Sequence, residues 1–393
     1  MKMINNDKCL ICNAKCHKTD FQTPGCVTSD GKFINSPLSH SYCSNCGYVF
    51  VDFDKRIDNY EKFYKTEYEF LLEGEVEPVL DDKKYSDILL EFFQDFLENS
   101  PRKTFFDIGA GKGNFIQAVH DKFEKLQKYA IEPGKSFEIL KTKTFLKKVY
   151  NDFFRSENFN IKFDYISLVG VLEHVQNPKE FLLDIKNIMH KDSYLLIEVP
   201  NFENNKSDLL TIDHLSKFTE KSILNLFKVC GLEVIKQRVS NSIPMQFILK
   251  RVNSEDCEIN STGVVNPLNE TEIESYINNA VKYLKKVEKD VSKVENDKII
   301  VYGQGLILHY LLGINKIKIE NIVCVIDDNP FYWGKKFKNQ VKILSFDDFM
   351  QSALYKQTNK IFLAMNDCYH RKVINKLKST DELKNLQIIG ANI

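Results

Sequence analysis

The chain has 393 residues, with 54 basic and 54 acidic side chains, so its formal net charge is zero. A neutral chain lacks the electrostatic footprint of a protein that binds nucleic acid or an anionic membrane, so we expect neither partner. No apolar run reaches the length of a membrane span, and residues 1–7 lack the apolar core of a signal peptide, which predicts a cytoplasmic protein without membrane insertion. The length exceeds what one hydrophobic core usually serves, so two or three domains are expected.

Two pairs of cysteines near the amino terminus predict a metal site. Cys9 with Cys12, and Cys43 with Cys46, are each spaced so that both thiolates of a pair can reach one tetrahedral ion. Two such pairs fill the coordination shell, so we predict a structural Zn²⁺ that holds together a segment too short for a core of its own. A redox role would require a thioredoxin-like strand and helix, whereas this segment is polar and rich in turns. The competing ligands are Cys16, Cys26, His17 and His40.

An aromatic segment at residues 60–70 follows, in which tyrosine and phenylalanine are mixed with charged side chains. Such a segment is typical either of a lid over a site or of packing between domains, and the sequence leaves both open. Residues 84–99 then place apolar side chains at helical spacing, which predicts a helix with one buried face.

A glycine-rich turn at residues 109–113 is the most informative motif of the chain. An apolar strand that carries Asp107 near its carboxyl end runs into Gly-Ala-Gly-Lys-Gly, after which a helix begins. Glycine lets the backbone adopt positive φ and approach a ligand closely, so this turn predicts a site for a nucleotide-type cofactor. The turn alone fits either a nicotinamide nucleotide or S-adenosylmethionine.

The strands that follow the turn distinguish between these cofactors. One strand ends at Glu132 and Pro133, which puts a carboxylate where a ribose diol would lie. The next leads to Asp152 and Phe153, which offer a carboxylate to the exocyclic amine of adenine and an aromatic ring to its face. A nucleoside cofactor is therefore expected beyond the carboxyl ends of these strands.

The fourth strand, at 163–169, is followed by the run Leu-Glu-His-Val-Gln-Asn-Pro at 172–178. Together with the glycine turn, this run resembles the class I S-adenosylmethionine-dependent methyltransferases, in which a Leu-Glu-His-hydrophobic-x-x-Pro stretch typically occupies this place. Nicotinamide enzymes do not show it as a rule, so the resemblance implies S-adenosylmethionine. The predicted cofactor-binding residues are Asp107, Gly109, Ala110, Gly111, Phe115, Glu132, Pro133, Asp152, Phe153 and Val169.

The remaining elements of this region continue to alternate between helix and strand, which predicts a parallel sheet covered on both faces. They are a helix at 178–189, a strand at 194–199, a helix from the N-cap Thr219 to Gly231, and a hairpin of 233–238 with 246–251. Closing antiparallel hairpins of this kind are also found in methyltransferase sheets.

The carboxyl-terminal part repeats the strand, glycine turn and acid of the first sheet. A polar stretch at 253–270 predicts a linker, and apolar residues at helical spacing over 273–291 predict a helix packed on a domain. Gly303 and Gly305 then follow one strand, and Asp327 ends the next. This second Rossmann-like sheet either binds a nucleotide or only shapes a pocket.

The order of these three parts resembles the nucleotide-sugar C-methyltransferase family over nearly the whole chain. We expect an α/β protein with a zinc-binding domain at 1–55, a methyltransferase domain at 56–252 and a Rossmann-like domain at 253–393. In that family the last domain helps to form the pocket of a keto sugar linked to dTDP. The resemblance implies that the small-molecule nucleotide sugar contacts Gly303, Gly305, Asp327, Asn329 and Lys335.

The proposed base of that family lies in a Tyr-x-Glu-His-Leu-x-Tyr-Phe stretch. Here residues 211–218 read Thr-Ile-Asp-His-Leu-Ser-Lys-Phe, so the histidine and a carboxylate are present but Thr211 and Lys217 replace both tyrosines. The candidate proton-transfer groups at this edge of the sheet are Glu173, His174, Asp213 and His214. The resemblance implies that His214 is the base and Asp213 orients it, with His174 or Lys217 near an enolate.

Three functions remain open at this stage. The resemblance implies C-methylation of a nucleotide-linked keto sugar in surface polysaccharide or deoxysugar biosynthesis. Loss of the two tyrosines also suits a sugar O-methyltransferase, which needs only a general base. A non-catalytic scaffold in a polysaccharide assembly complex is the alternative of another class. The sequence does not indicate the oligomeric state.

Overall fold

The computed structural model describes residues 8–69, 77, 79–80, 83–98, 103–241, 244–252 and 270–391. Three sheets of four, seven and six strands dominate the described part of the chain, and helices flank the two larger ones. The predicted α/β architecture with two Rossmann-like sheets is confirmed.

The central sheet has seven strands and corresponds to the predicted cofactor domain. In spatial order its strands are Leu146–Tyr150, Gln127–Ile131, Thr104–Ile108, Phe163–Val169, Met189–Pro200, Pro244–Arg251 and Leu232–Val239. Only Pro244–Arg251 runs against its neighbours, since it returns through the predicted hairpin. The parallel strands therefore end at one edge of the sheet, where ligands of such sheets bind.

Five helices accompany the central sheet. They are Tyr85–Glu98, Asn114–Lys122, Phe137–Leu140, Pro178–Asn187 and Glu220–Val229. The helix at 220–229 begins with a capping box, in which Thr219 accepts from the amide of Ser222 and the Ser222 hydroxyl accepts from the amide of Thr219. The predicted bounds of the two last helices agree with these to within two residues.

Alternation along the strand divides the core between the two faces of the sheet. Phe105 packs edge-on against Phe115 of the flanking helix, with ring centroids 6.1 Å apart. Its neighbour Phe106 lies on the opposite face and stacks on Phe163 at 4.5 Å. Both faces are thus buried, as expected for a parallel sheet.

The amino-terminal sheet has four antiparallel strands, and the last of them is remote in sequence. Its strands are Cys16–Thr23, Leu38–Cys43, Val49–Val51 and Ser216–Lys217. A short hairpin pairs Cys26–Val27 with Phe33–Ile34. The sheet of the predicted zinc segment is therefore completed by a strand from the segment that carries His214.

Several short elements connect the larger ones. Tyr60–Lys62 is a helical turn that continues as a π-helical turn at Phe63–Glu67, and Val79–Leu80 pairs with Lys83–Lys84. The segments Leu172–His174 and Lys206–Leu210 are 3-10 helices. These two tight turns hold several of the polar residues described below.

The carboxyl-terminal sheet has six strands. In spatial order they are Lys336–Phe337, Val341–Leu344, Ile322–Ile326, Ile299–Tyr302, Lys360–Leu363 and Gln387–Ile389. Its helices are Glu270–Ser292, Leu306–Gly313, Phe346–Ser352 and His370–Lys378. The long helix buries its apolar stripe as predicted, whereas most of the predicted linker, 253–269, lies outside the described residues. Among the described helices, none combines the length and apolarity that crossing a membrane requires.

Candidate active site

A cavity of about 620 Å³ opens at the carboxyl edge of the central sheet. All ten residues predicted to bind the cofactor, from Asp107 to Val169, lie on its wall. Most of the cavity wall is apolar, with a small number of polar groups at the strand ends, which is typical of small-molecule sites. The topology therefore brings the residues of four strand ends to one place.

The glycine turn has the geometry that a bound nucleoside cofactor requires. Gly109 has φ of 69° and Gly111 has φ of 54°, a region that side chains with a Cβ rarely adopt. A Cβ at Gly109 would lie 2.5 Å from Val171, whereas one at Gly111 would meet no atom within 4 Å and would project into open space. The turn thus leaves room for a ligand against its backbone, and the cavity fits S-adenosylmethionine.

Two carboxylates line the cavity beside this turn. Glu132 accepts hydrogen bonds from the amides of Gly111 at 2.9 Å and Gly134 at 2.7 Å. Burial raises the pKa of Glu132, and these two bonds oppose the shift. Asp107 accepts from the Ser167 hydroxyl at 2.6 Å, and burial raises the pKa of Asp107 to about 7. Glu132 therefore holds the turn in place, whereas Asp107 joins two neighbouring strands, and both acids line the cavity.

The two residues expected at the adenine lie at the rim. The Asp152 carboxylate accepts from the amide of Phe153 at 2.9 Å and pairs with Lys65 at 3.3 Å. Lys65 also lies 5.5 Å from the centre of the Phe153 ring. The acid and the ring are therefore adjacent, as the adenine interpretation requires.

Three tyrosines of the aromatic segment, Tyr60, Tyr64 and Tyr68, line the cavity. Their spacing of four residues puts them on one face, a signal that could have identified them as site residues. The Tyr64 hydroxyl lies 2.7 Å from Nδ1 of His174, and the Tyr68 hydroxyl lies 3.0 Å from the Ser29 hydroxyl. Burial raises the pKa of Tyr64 well above its usual value, so its phenol stays protonated. The aromatic segment is part of the site.

His214 lies on the cavity wall, and its Nδ1 is 2.6 Å from Oδ1 of Asp208. The expectation that Asp213 orients His214 is corrected here, because the 3-10 turn at 206–210 supplies Asp208 in that role. Burial lowers the pKa of His214, but the attraction of Asp208 outweighs it, so the pKa lies above its ordinary value. Nothing in the local sequence marks Asp208 as the partner.

His174 stands beside His214, with ring centroids 4.7 Å apart and the planes at 82°. Its Nδ1 also lies 2.9 Å from the backbone carbonyl of Asp213. Burial, reinforced by the nearby His214, lowers the pKa of His174 to about 4. At neutral pH His174 is therefore neutral, and its neighbour is the histidine that titrates.

The other two predicted catalytic residues lie behind the wall. Asp213 is fully buried and accepts from the amide and the hydroxyl of Ser29, at 2.8 and 2.6 Å. Lys217 is also fully buried, and its ammonium donates to the carbonyls of Thr211 and His214, each at 2.7 Å. Burial lowers the pKa of Lys217. Both side chains hold the loop that presents His214.

Two buried glutamates, Glu173 and Glu198, also lie on the wall, and the sequence reasoning missed Glu198. Burial raises the pKa of Glu173 to about 8 and that of Glu198 to about 7. Glu198 accepts a hydrogen bond from Tyr85. Glu173 precedes His174 in the Leu-Glu-His run, from which it was predicted as a candidate proton-transfer group. Both carboxyl groups therefore keep their protons to a higher pH than an exposed glutamate does.

The five residues expected to bind the nucleotide sugar do not line this cavity. Gly303 has φ of 85°, and a Cβ at Gly305 would lie 2.6 Å from the Ala364 carbonyl oxygen. Asp327 accepts from the amides of Gln304 at 3.1 Å and Asn329 at 2.8 Å. These groups satisfy each other and shape the turn.

Lys335 differs from the other four, because it lies at the junction of the two large domains. Its ammonium is 3.6 Å from the centre of the Phe331 ring, and that of Lys112, from the cofactor turn, is 5.7 Å from the same ring. Burial, with Lys335 nearby, lowers the pKa of Lys112. Two cations from different domains thus meet at one aromatic ring near the cavity.

The four predicted metal ligands are brought together. The sulfur atoms of Cys9, Cys12, Cys43 and Cys46 all lie within 4.8 Å of one another. The closest pairs, Cys9 with Cys46 and Cys12 with Cys43, are 3.5 Å apart, near the separation of about 3.8 Å in a tetrahedral zinc site. Cys16 lies nearby but is not one of the four. The cluster fits a structural zinc ion.

A family model described as a methyltransferase domain matches residues 80–237. The chain contains a class I S-adenosylmethionine-dependent methyltransferase domain. The match begins just before the helix at 85–98 and ends in the strand Leu232–Val239, so it covers the cavity and its glycine turn. The predicted methyltransferase fold and cofactor are confirmed. A comparison with curated proteins finds no match.

Several solved structures resemble the methyltransferase in part. Mitomycin 7-O-methyltransferase MmcR is 20% identical, with a TM-score of 0.35, over 42% of this chain and 54% of that one. An S-adenosylmethionine-dependent methyltransferase from Leishmania major is 17% identical, with a TM-score of 0.35, over 42% of this chain and 72% of that one. A third S-adenosylmethionine-dependent methyltransferase, from Clostridium acetobutylicum, is 14% identical, with a TM-score of 0.37, over 44% of this chain and 93% of that one. The matched region spans about half the length of MmcR.

Proposed function

We propose that this methyltransferase adds a methyl group to a carbon of a nucleotide-linked keto sugar. The observation that carries the proposal is the pair of His214 and Asp208, joined at 2.6 Å on the wall of the cofactor cavity. A histidine held in this way is suited to take a proton from the carbon next to a ketone. Bound S-adenosylmethionine supplies the electrophilic methyl group.

In this mechanism His214 acts as the general base. Its Nδ1 is occupied by Asp208, so Nε2 is the nitrogen that accepts the α-proton. The imidazolium that results is stabilised by the Asp208 carboxylate, and the electrons of the broken C–H bond form an enolate. The residues of the glycine turn and the strand ends would hold S-adenosylmethionine, whose methyl group would be available to the enolate carbon beside His214. Proton abstraction by a positioned base contributes typically about 10²–10⁴-fold to a rate.

The phenol of Tyr64 is suited to hold the enolate oxygen. It is protonated at neutral pH, lines the cavity and lies 2.7 Å from Nδ1 of His174. A donor held in a buried site stabilises developing negative charge more than it would in water. Thr211 and Lys217 stand where the resembled family has tyrosines, and Tyr64 would supply the hydrogen-bond donor to the enolate in their place.

The cation pair at Phe331 supports a nucleotide-linked substrate. Lys112 belongs to the cofactor turn and Lys335 to the carboxyl-terminal domain, and both ammonium groups lie over the same ring. Two ammonium groups beside an aromatic face suit a diphosphate joined to a base. The sugar would then extend from this junction towards His214.

Transfer to a sugar hydroxyl is the second candidate. Thr211 and Lys217 are fully buried and do not reach the cavity, so neither acts as an enolate donor. Deprotonation of a hydroxyl requires only the base, which His214 provides. Both candidates place the oxygen or carbon acceptor beside Nε2 of His214.

Product analysis tests the proposal. The protein is incubated with labelled S-adenosylmethionine and a panel of keto sugars linked to dTDP, GDP and CDP, and the new methyl group is located by NMR. We expect a new C–methyl group and exchange of the adjacent carbon-bound deuterium in the absence of methyl transfer. His214→Asn should lose both reactions. A methyl group on oxygen would favour the second candidate, and the absence of S-adenosylhomocysteine binding in calorimetry would favour the scaffold.

A further inference from the structure

Glu173, His174 and His214 form a compact cluster on the floor of the cavity. A carboxylate oxygen of Glu173 and one ring nitrogen from each histidine lie within 4.8 Å of one another. All three residues line the cavity, so a ligand could enter. Two imidazoles and one carboxylate are a common ligand set for Zn²⁺, Fe²⁺, Co²⁺ and Ni²⁺. The set differs in its chemistry from the four thiolates of the amino-terminal cluster.

The outer contacts of the histidines fit metal ligation. Nδ1 of His214 lies 2.6 Å from the Asp208 carboxylate, and Nδ1 of His174 lies 2.9 Å from the carbonyl oxygen of Asp213. Metal-binding histidines commonly use one ring nitrogen for a carboxylate or carbonyl, which fixes the ring and directs the other nitrogen to the ion. In both rings Nε2 is the nitrogen left for a ligand.

Glu173 provides an independent observation. It is only 3% exposed, and its Oε2 has no hydrogen-bond partner among the residues that the structure describes. A buried carboxylate oxygen without a partner is costly, and a cation is one group that removes this cost. The carboxyl group that carries this atom belongs to the same cluster as the two histidine rings.

We propose that Glu173, His174 and His214 form a second metal site, which binds a divalent transition-metal cation at the floor of the cavity. Three protein ligands leave coordination positions open towards the cavity, where oxygen atoms of water or substrate can bind. The cation occupies Nε2 of His214, so a chain loaded at this site cannot use that nitrogen as a base. Cation binding and proton abstraction therefore exclude each other, and this consequence rests on the proposed function.

Cobalt titration tests the site directly. Zinc-loaded protein is freed of loosely held metal with a mild chelator and titrated with Co²⁺, followed by calorimetry and visible absorption. We expect one Co²⁺ per chain in addition to the metal held by the cysteines. Glu173→Gln and His214→Asn should each weaken Co²⁺ binding by at least about tenfold, and Asp208→Asn by about 10–100-fold. His190→Ala is the matched control, because His190 is exposed and begins the fifth strand at the opposite edge of the sheet.

Binding of S-adenosylhomocysteine confirms that each variant is folded. The proposal is overturned if the wild-type chain takes up no additional Co²⁺, or if Glu173→Gln and His214→Asn bind it as tightly as His190→Ala. In a second experiment, added Co²⁺ should inhibit methyl transfer by the wild-type chain in proportion to its occupancy. If no sugar is methylated, the proposed function fails while the titration still decides the metal site.

Discussion

Ser29 donates two hydrogen bonds to the carboxylate of Asp213, a residue 184 positions later in the chain. The amide reaches Oδ1 at 2.8 Å and the hydroxyl reaches Oδ2 at 2.6 Å. The Ser29 hydroxyl also lies 3.0 Å from that of Tyr68, on the cavity wall. The amino-terminal segment therefore contacts the loop that carries Asp213 and His214.

Ser29→Ala should lower the rate of methyl transfer without weakening cofactor binding. The substitution leaves a buried carboxylate oxygen without its donor, a cost of about 1–3 kcal/mol that the loop can relieve by moving. Steady-state kinetics and calorimetry with S-adenosylhomocysteine measure the two effects. Ser29→Thr, which keeps the hydroxyl, should retain most of the rate. An equal loss in both variants would argue against this hydrogen bond.

Cys9→Ser and Cys43→Ser should each remove the structural zinc and disturb the active site. The turn between Cys43 and Cys46 joins two strands of the sheet that ends with Ser216–Lys217, so loss of the metal reaches the loop of His214. We expect bound zinc, measured by atomic absorption, to fall from about one per chain to none. Cys368→Ser is the control, since Cys368 lies in the carboxyl-terminal domain. Unchanged zinc in the two knuckle variants would disprove the assignment.

The pH dependence of the rate should report His214. Asp208 raises the pKa of His214, and a base must be unprotonated, so the rate should rise with pH as His214 loses its proton. In Asp208→Asn the carboxylate is gone, so the pKa falls and the rising limb should move to lower pH. The pH profile of kcat/KM measures this shift. A limb that stays in place would mean that another group is the base.

The stability of the fold should decrease with pH because of Glu173. Its pKa is about 8 in the folded chain against 4.5 for an ordinary glutamate, so the folded state binds the extra proton between these values. Stability is then fully present below pH 4.5 and is lost as the pH rises through 8, by at most about 1.4 kcal/mol per pH unit.

Glu173→Gln should remove this dependence and be more stable than the wild-type chain at alkaline pH. Urea unfolding at several pH values measures it. Glu157→Gln, at an exposed position, should change nothing. If the wild-type and Glu173→Gln curves keep the same separation at every pH, the carboxyl group does not titrate as expected.

Short-range patterns were sufficient for much of the fold. The glycine turn, the acids at Asp107 and Glu132 and the cap at Thr219 depend on residues adjacent in sequence, and the structure has them as predicted. The spacing within each Cys-x-x-Cys pair likewise brings its two sulfur atoms together. Only the contact between the two pairs depends on the tertiary structure. The carboxyl ends of parallel strands lie at the same edge of a sheet, so the residues predicted to bind the cofactor could be placed together from the sequence.

Contacts that depend on how the backbone folds back on itself decided the rest. Asp208 rather than Asp213 holds His214 because a 3-10 turn folds back on the loop, and no spacing in the sequence encodes that approach. The ammonium of Lys217 donates to two backbone carbonyls, so the side chain lies outside the cavity. Ser29 contacts Asp213 because the two sheets pack together. Hydrogen bonds form wherever a donor and an acceptor are brought together, so packing selects partners that a linear pattern cannot distinguish.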